Sequence, residues 1–341
     1  MKYAIQHNVQ NLYVDKFDWD VPILESKSLK ILNLAMKFHR RGFEFMDDWY
    51  LPALTSLNLT ELTGDRPMLP ISCFIGMPAL TNLCLEGFGL PPSLSLPGLT
   101  KLHLKGGELP SKTVWDLPAL TSLVLDEVKT PSTNIAEFLS ALVSLQDLKL
   151  LRCFENNQIF LISSPQLLHL ELRTTNSEND TWIPSIMVFA PKLLNVTTVG
   201  IFSITCCNSK LENVQVIFQG GFKDKKTIPW GMLKQYYCQL MFMFRGLDSA
   251  RILTLDSDTI EALSAIVDLL QCSFSPFHNL KCVKLPQGYK ESNICGTVKS
   301  YLLGGSAGAT MVTTLRQNDV IPKITLVLPT TVDAQTTPEA P

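Results

Sequence analysis

The stretch Ala53-Leu-Thr-Ser-Leu-Asn-Leu59 decides the fold, because almost the same seven residues recur three more times. They return as ALTNLCL at Ala79–Leu85, as GLTKLHL at Gly98–Leu104 and as ALTSLVL at Ala119–Leu125. All four fit the pattern LxxLxL, and weaker copies extend it in both directions. Counted together, twelve units begin at residues 9, 29, 54, 80, 99, 120, 145, 167, 193, 211, 250 and 280.

Each unit alternates leucine with polar residues, which is the pattern of a strand with one buried face. A strand this short cannot bury its leucines alone, so neighbouring units must stack as parallel strands. Most spacings are near the roughly 20–29 residues typical of leucine-rich repeats. The sequence therefore predicts an α/β leucine-rich-repeat solenoid whose curved parallel ladder runs from about Val9 to about Leu285. In this register we expect Leu57, Leu83, Leu102 and Leu123 to be buried and Asn58, His103 and Lys149 to be exposed.

A proline precedes the first leucine of six units by two positions. These prolines are Pro52, Pro78, Pro97, Pro118, Pro165 and Pro191. Proline fixes φ and disfavours helix in the residue before it, so it ends the convex segment and leads into the strand. The convex segments are predicted to be irregular, with short helices at Asn134–Leu142 and Thr259–Leu270. The buried asparagine of many such solenoids is missing, and residues such as Phe88 and Cys153 take its place.

The spacing of the units divides the chain into three regions. Residues 1–218 hold the regular repeats, residues 219–328 hold atypical terminal repeats and a C-terminal α/β cap, and the polar, proline-containing residues 329–341 are predicted to be disordered. The second region is predicted to contain helices at Pro229–Phe244 and Ser292–Leu303 and strands at Arg251–Leu255, Leu280–Leu285, Thr310–Leu315 and Lys323–Leu328.

Composition narrows the class of protein. Hydrophobic residues make up 46% of the 341 residues, charged residues 18%, and the net charge is −2, which favours a globular chain and argues against nucleic acid or an anionic membrane as partner. The nine cysteines are odd in number, scattered and without a CxxC pair, so we expect reduced thiols in the cytoplasm or nucleus. The N-terminus lacks the apolar core of a signal peptide, and no apolar stretch is long enough to span a bilayer.

We predict no catalytic site, no cofactor and no metal. We expect no GxSxG nucleophile motif, and the chain contains no HExxH and no GxxxxGK[ST] motif. The glycine-rich stretch Gly304–Gly308 lacks the lysine of a phosphate loop and has the reverse order of flanking elements. Cys272, His278 and Cys282 are separated by their elements and lack a fourth ligand, so a structural role is favoured over a metal site.

The open face of the ladder is the better candidate site. Side chains between the leucines point away from the core onto this concave face. The predicted protein-binding residues are Lys101, His103, Lys105, Asp126, Asp147, Lys149, His169, Glu171 and Arg173. A merely solvated sheet face is the competing interpretation. His103 and His169 lie three units apart, about 14 Å, so they cannot share a metal ion.

The ALTxLxL units with their prolines, together with FHNLKCVKL at Phe277–Leu285 and SYLLGGSAGATMVTTL at Ser300–Leu315, resemble the plant F-box/leucine-rich-repeat proteins with an FBD-like C-terminal region. The opening HNVQNLYV is similar to the first repeat after the F-box. The resemblance covers nearly the whole chain. It implies that the repeats recognise a protein substrate for a Skp–cullin–F-box ubiquitin ligase. Only Met1–Asn8 precede the first unit, so we expect a Skp-type adaptor to bind only if an F-box is supplied upstream.

Three alternatives stay open at this point. The chain could be the repeat region of a plant nucleotide-binding immune receptor, an adaptor-free scaffold, or an enzyme with an unrecognised site. Upstream sequence encoding an F-box or a P-loop ATPase separates the first alternative from the ligase interpretation. Labelling of reactive cysteines tests the enzyme alternative.

Overall fold

A computed structural model of the protein describes residues 7–18, 24–37, 49–62, 71–110, 112, 114–130, 135–154, 159–174, 183–207, 209–218 and 230–313. The main feature is a sheet of thirteen strands, in which each strand pairs in parallel with the next repeat's strand. Its strands are β1 (Asn11–Asp18), β3 (Ile31–Lys37), β5 (Ser56–Glu61), β6 (Asn82–Glu86), β8 (Lys101–Lys105), β10 (Ser122–Asp126), β11 (Asp147–Leu151), β13 (His169–Arg173), β15 (Asn195–Val199), β17 (Asn213–Ile217), β18 (Ile252–Leu255), β19 (Cys282–Leu285) and β20 (Thr310–Thr313). This ladder confirms the predicted solenoid.

The predicted register is confirmed at the leucines. Leu57, Leu83, Leu102 and Leu123 are at most 2% exposed and stack in register on successive strands. The outward residues differ from the prediction, because Asn58, His103 and Lys149 are half-buried rather than exposed. Strands only about 4.8 Å apart bring the side chains of adjacent rungs into contact, so each screens its neighbours from water.

Hydrogen bonds explain the threonine of the ALT phrase. The Thr81 hydroxyl donates to the carbonyl of Thr55, Thr100 donates to Thr81, and Thr121 donates to Thr100, at 3.0–3.2 Å. The backbone amides of the same threonines donate to the same carbonyls. Each threonine therefore ties its repeat to the previous one at the point where the strand begins.

The prolines have a more specific role than ending the convex segment. Each occupies the second position of a turn, closed in the first instance by the Leu54 amide donating to the Leu51 carbonyl at 3.0 Å. The same bond joins Leu80 to Met77 and recurs in the other units that carry this proline. The fixed φ of proline suits that position of a turn, so the residue presets the chain reversal into the strand.

The convex side is more regular than predicted. Seven of its segments form short strands in three small parallel sheets. These strands are β2 (Leu24–Glu25) with β4 (Trp49–Tyr50), β7 (Ser93–Ser95) with β9 (Val114–Asp116), and β12 (Ile159–Ser163), β14 (Ser185–Phe189) and β16 (Ser203–Cys207). The predicted helix after residue 134 is confirmed as α1 (Ile135–Ala141), which packs against β9 and β12.

The C-terminal region continues the ladder instead of ending it near Leu285. Helices alternate with the rungs β18, β19 and β20. They are α2 (Trp230–Arg245), α3 (Ser257–Ala265), α4 (Val267–Gln271) and α5 (Gly296–Leu303), the last preceded by a 3-10 turn at Glu291–Asn293.

The helix predicted from Thr259 to Leu270 is broken at Ile266, which caps both α3 and α4. The predicted strand Lys323–Leu328, the tail 329–341 and the basic residues 223–226 lie outside the described residues. So do the first six residues of the chain.

Candidate functional site

The outward side chains of the ladder form three columns that run across the strands, and we call their surface the concave face. Strand register defines the columns in the central repeats. The first holds Lys101, Ser122, Asp147, His169 and Asn195; the second holds His103, Val124, Lys149, Glu171 and Thr197; the third holds Lys105, Asp126, Leu151, Arg173 and Val199. The ladder thus places all nine predicted residues in these three columns, over four adjacent strands.

Most charges on the concave face pair with a neighbour on the next rung. Lys105 contacts Glu86 at 2.5 Å, and this hydrogen bond is the leading reason that the pKa of Lys105 is raised. Lys149 contacts Glu171 at 2.7 Å, and Arg173 contacts the same carboxylate at 3.6 Å. Glu171 therefore serves two cations, and neither it nor Lys105 is a free charge awaiting a ligand.

Asp126 departs from the prediction that it lies on the open face. It is only 8% exposed, and both its oxygens accept hydrogen bonds from the Arg152 guanidinium, at 2.6 and 2.8 Å. Arg152 also contacts Glu127 at 3.0 Å. The side chain of Arg152 reaches over from the neighbouring repeat and covers the aspartate, so Asp126 fastens two repeats together.

Sequence patterns did not single out Arg152, and its backbone shows why. In several units the residue two places after the last core position of the strand adopts positive φ, as at Gly87, Gly106 and Gly200. Glu127 and Arg152 occupy the equivalent positions with φ of 55° and 57°, where L-residues are uncommon. Only the backbone conformation turns these two side chains toward each other, and a sequence scan for strand periodicity does not register it.

A cysteine and a histidine meet on the second column. Cys84 Sγ lies 3.6 Å from His103 Nδ1, and His103 Nε2 is enclosed without a hydrogen-bond partner in the described part of the chain. Burial, followed by the Glu86 charge, raises the pKa of Cys84 to about 11. Burial also lowers the pKa of His103. Near neutral pH the thiol is therefore protonated and the imidazole neutral, the opposite of the thiolate–imidazolium pair used in cysteine catalysis.

A chain of hydrogen bonds crosses the first column. Asn213 Nδ2 donates to Asn195 Oδ1 at 2.7 Å, which leaves the Asn195 amide nitrogen 2.8 Å from His169 Nδ1. That nitrogen can only donate, so His169 Nδ1 accepts and the ring hydrogen lies on Nε2. His169 Nε2 in turn lies 3.8 Å from Asp147 Oδ1. The relay fixes both the orientation and the tautomer of the imidazole.

A shallow pocket of about 210 Å³ lies between the first and second columns, beside this relay. Its charged and polar lining consists of Asp147, Lys149, His169, Glu171, Asn195 and Thr197. Four of the nine predicted residues thus line one depression. Lys101, in contrast, is exposed and lies two rungs away in the first column, with no carboxylate within 4 Å in the described ranges.

The expectation that the chain carries no GxSxG motif is wrong, because Gly304-Gly-Ser-Ala-Gly308 fits this pattern of hydrolase nucleophiles. The structure gives Ser306 a different task. It is 8% exposed, donates to the Phe277 carbonyl and accepts from the Leu280 amide, both at 2.9 Å. The stretch follows a helix and precedes a strand, whereas a nucleophile elbow needs a strand before it and a helix after it. Ser306 therefore joins two repeats.

The remaining features of the sequence do not assemble into a site. Within the described ranges, no group of three or more histidine, cysteine or acidic residues is placed to hold a metal ion. Cys272 ends α4, and Cys282 points outward from β19. None of the described helices combines the length and apolar character needed to cross a membrane. Comparison of the chain with protein-family models and with curated proteins finds no match.

Proposed function

We propose that this chain is a protein-recognition module and that its partner binds the concave face. The observation that carries the proposal is a thirteen-strand sheet whose outward face presents a mixed set of charged side chains, concentrated on β8, β10, β11 and β13. Thirteen strands about 4.8 Å apart and some five residues long make a surface of roughly 900 Å². A partner in a stable protein complex typically contributes roughly 800 Å², so the face is large enough.

Two charges of opposite sign, at fixed positions along the ladder, make the concave face electrostatically asymmetric. Lys101 and Asp147 lie in the same column with Ser122 between them, about 10 Å apart. Within the described ranges, Lys101 has no carboxylate within 4 Å, and Asp147 has only the imidazole of His169 at 3.8 Å. Complementary charges on a partner would orient it along the ladder, whereas the internally paired charges would contribute little.

We further propose that the recognised protein is a substrate for a Skp–cullin–F-box ubiquitin ligase, in the cytoplasm or nucleus. This step rests on the resemblance of the repeats and of the C-terminal segments to the F-box/leucine-rich-repeat family. Eight of the nine cysteines have side chains that the structure describes, and these eight are free thiols, which suits a reducing compartment. In this scheme the concave face holds the substrate, and an F-box supplied upstream of the repeats binds the adaptor.

A pair of charge-neutral variants tests recognition by the concave face. Lys101→Glu combined with Asp147→Lys reverses the two orienting charges and leaves the net charge unchanged. The matched control, Lys27→Glu with Asp268→Lys, makes the same exchange at exposed positions outside the concave columns. Lys105 is left alone, because reversing it would set a second glutamate against Glu86.

Quantitative affinity capture followed by mass spectrometry compares the two variants with the unmodified chain. We expect proteins captured by the unmodified chain to be lost from the concave variant and retained by the control. Identical capture by both variants would mean that the concave charges are only a solvated surface. Cullin and adaptor subunits should join the captured set when an F-box is fused upstream.

A further inference from the structure

We infer that the pocket beside Asp147 is a receptor for a single arginine side chain of the protein partner. This inference rests on the proposed recognition by the concave face and deepens it by naming the group that is recognised. It follows from the size of the pocket, from its charge, and from the lack of a strong partner for one carboxylate.

The size of the pocket suits a side chain rather than a free small molecule. Its volume of about 210 Å³ is below the roughly 300–1,000 Å³ of most sites for drug-sized ligands. It opens to solvent on a sheet face, between two columns of side chains. A partner docked along the ladder can therefore lower a long side chain into it while its backbone stays outside.

The charge of the pocket suits a cation. The lining contributes the carboxylates of Asp147 and Glu171, and Glu171 is contacted by both Lys149 and Arg173, so Asp147 is the carboxylate of the pocket that no lysine or arginine in the described ranges neutralises. Lys149 is itself held by Glu171 at 2.7 Å. The hydrogen bonds through Asn195 and Asn213 hold the His169 ring in place beside Asp147.

Asp147 is the group that the cation would contact. The Asp126 carboxylate accepts three hydrogen bonds from Arg152, and Glu86 is engaged by Lys105. In the part of the chain that the structure describes, Asp147 has only the imidazole at 3.8 Å, beyond hydrogen-bond distance, and its side chain remains 45% exposed. A planar guanidinium can donate two parallel hydrogen bonds to such a carboxylate, which an ammonium group cannot do.

The test needs no protein partner. The chain has five histidines, so protein labelled with ¹³C at histidine Cε1 gives few ring signals, and His169→Gln assigns the one beside the pocket. N-acetyl-argininamide is titrated against the labelled protein, with N-acetyl-citrullinamide as a neutral probe of the same shape. We expect a saturable shift of the His169 signal with the arginine probe. The affinity for the citrulline probe should be weaker by about tenfold or more.

Variants locate the interaction. Asp147→Asn keeps the shape of the side chain and removes its charge, so the preference for arginine over citrulline should disappear. Asp268→Asn, at an exposed position on α4, should keep the full preference. Equal shifts with both probes, or an unchanged preference in Asp147→Asn, would overturn the inference. Neither result would affect capture by the concave face as such, so failure of the pocket and failure of the proposed function are distinguishable.

Discussion

Truncating Leu102 to alanine should show how strongly the stacked leucines hold the ladder together. Leu102 is 1% exposed and lies in register between Leu83 and Leu123, which are 2% and 0% exposed. The substitution removes three carbon atoms, and at about 0.8 kcal/mol for each buried CH₂ the lost transfer free energy is about 2.4 kcal/mol. Hydrogen-bonded strands on both sides prevent the neighbouring leucines from filling the space left by the Leu102 side chain. The free-energy cost of the resulting cavity therefore adds to the lost transfer free energy. We expect a total loss of about 3–5 kcal/mol.

A matched substitution separates burial from the chemistry of the change. Leu194→Ala removes the same atoms from a side chain that is 39% exposed, and it should cost about 1 kcal/mol or less. Urea unfolding followed by far-ultraviolet circular dichroism compares both variants with the unmodified chain. Hydrogen exchange then shows whether protection is lost first in the repeats around β8, as nearest-neighbour coupling requires. Equal destabilisation by the two variants would refute the assigned register.

Three further outcomes follow from the buried groups. Burial lowers the pKa of His103 below its ordinary 6.5, so the unfolded chain takes up this proton more readily and stability should fall as the pH drops below about 6.5. His103→Gln should therefore reduce the difference between the urea midpoints measured at about pH 7 and about pH 5. Cysteine labelling at neutral pH should modify the exposed Cys272 and Cys295 first and spare Cys153, whose pKa burial raises to about 12; peptide mapping that found Cys153 first would contradict this. Asp256→Ala should cost about 2–3 kcal/mol in thermal or urea unfolding, because its carboxylate caps α3 and also accepts the backbone amide that follows β17.

The sequence predicts the ladder well because its signal is repeated. One LxL segment is ambiguous, but twelve in sequence fix which residues face the core, and Leu57 and Leu123 lie where that pattern puts them. The thirteenth rung, β20, was predicted as a strand of the cap, because its spacing from β19 did not show that it joins the same sheet. The short convex strands were missed for a related reason. Segments of two to five residues carry too little alternation to stand out.

The sequence predicted which residues share the concave surface but not which of their charges form ion pairs with one another. Strand periodicity places Lys101, Asp147 and His169 in one column, since that depends only on register. It does not say which charges are neutralised by neighbours. The covering of Asp126 by Arg152 depends on a left-handed backbone at a non-glycine residue, and no local preference predicts that conformation.

Site-specific photo-crosslinking tests the central claim most directly. A photoreactive phenylalanine analogue at Val124, in the second column of the concave face, is compared with the same analogue at Val114, which is 72% exposed on the convex strand β9. Both variants are expressed in cells and irradiated, and crosslinked proteins are identified by mass spectrometry. The account predicts a defined protein crosslinked from Val124 and not from Val114. The same protein crosslinked from Val114 alone would contradict recognition by the concave face.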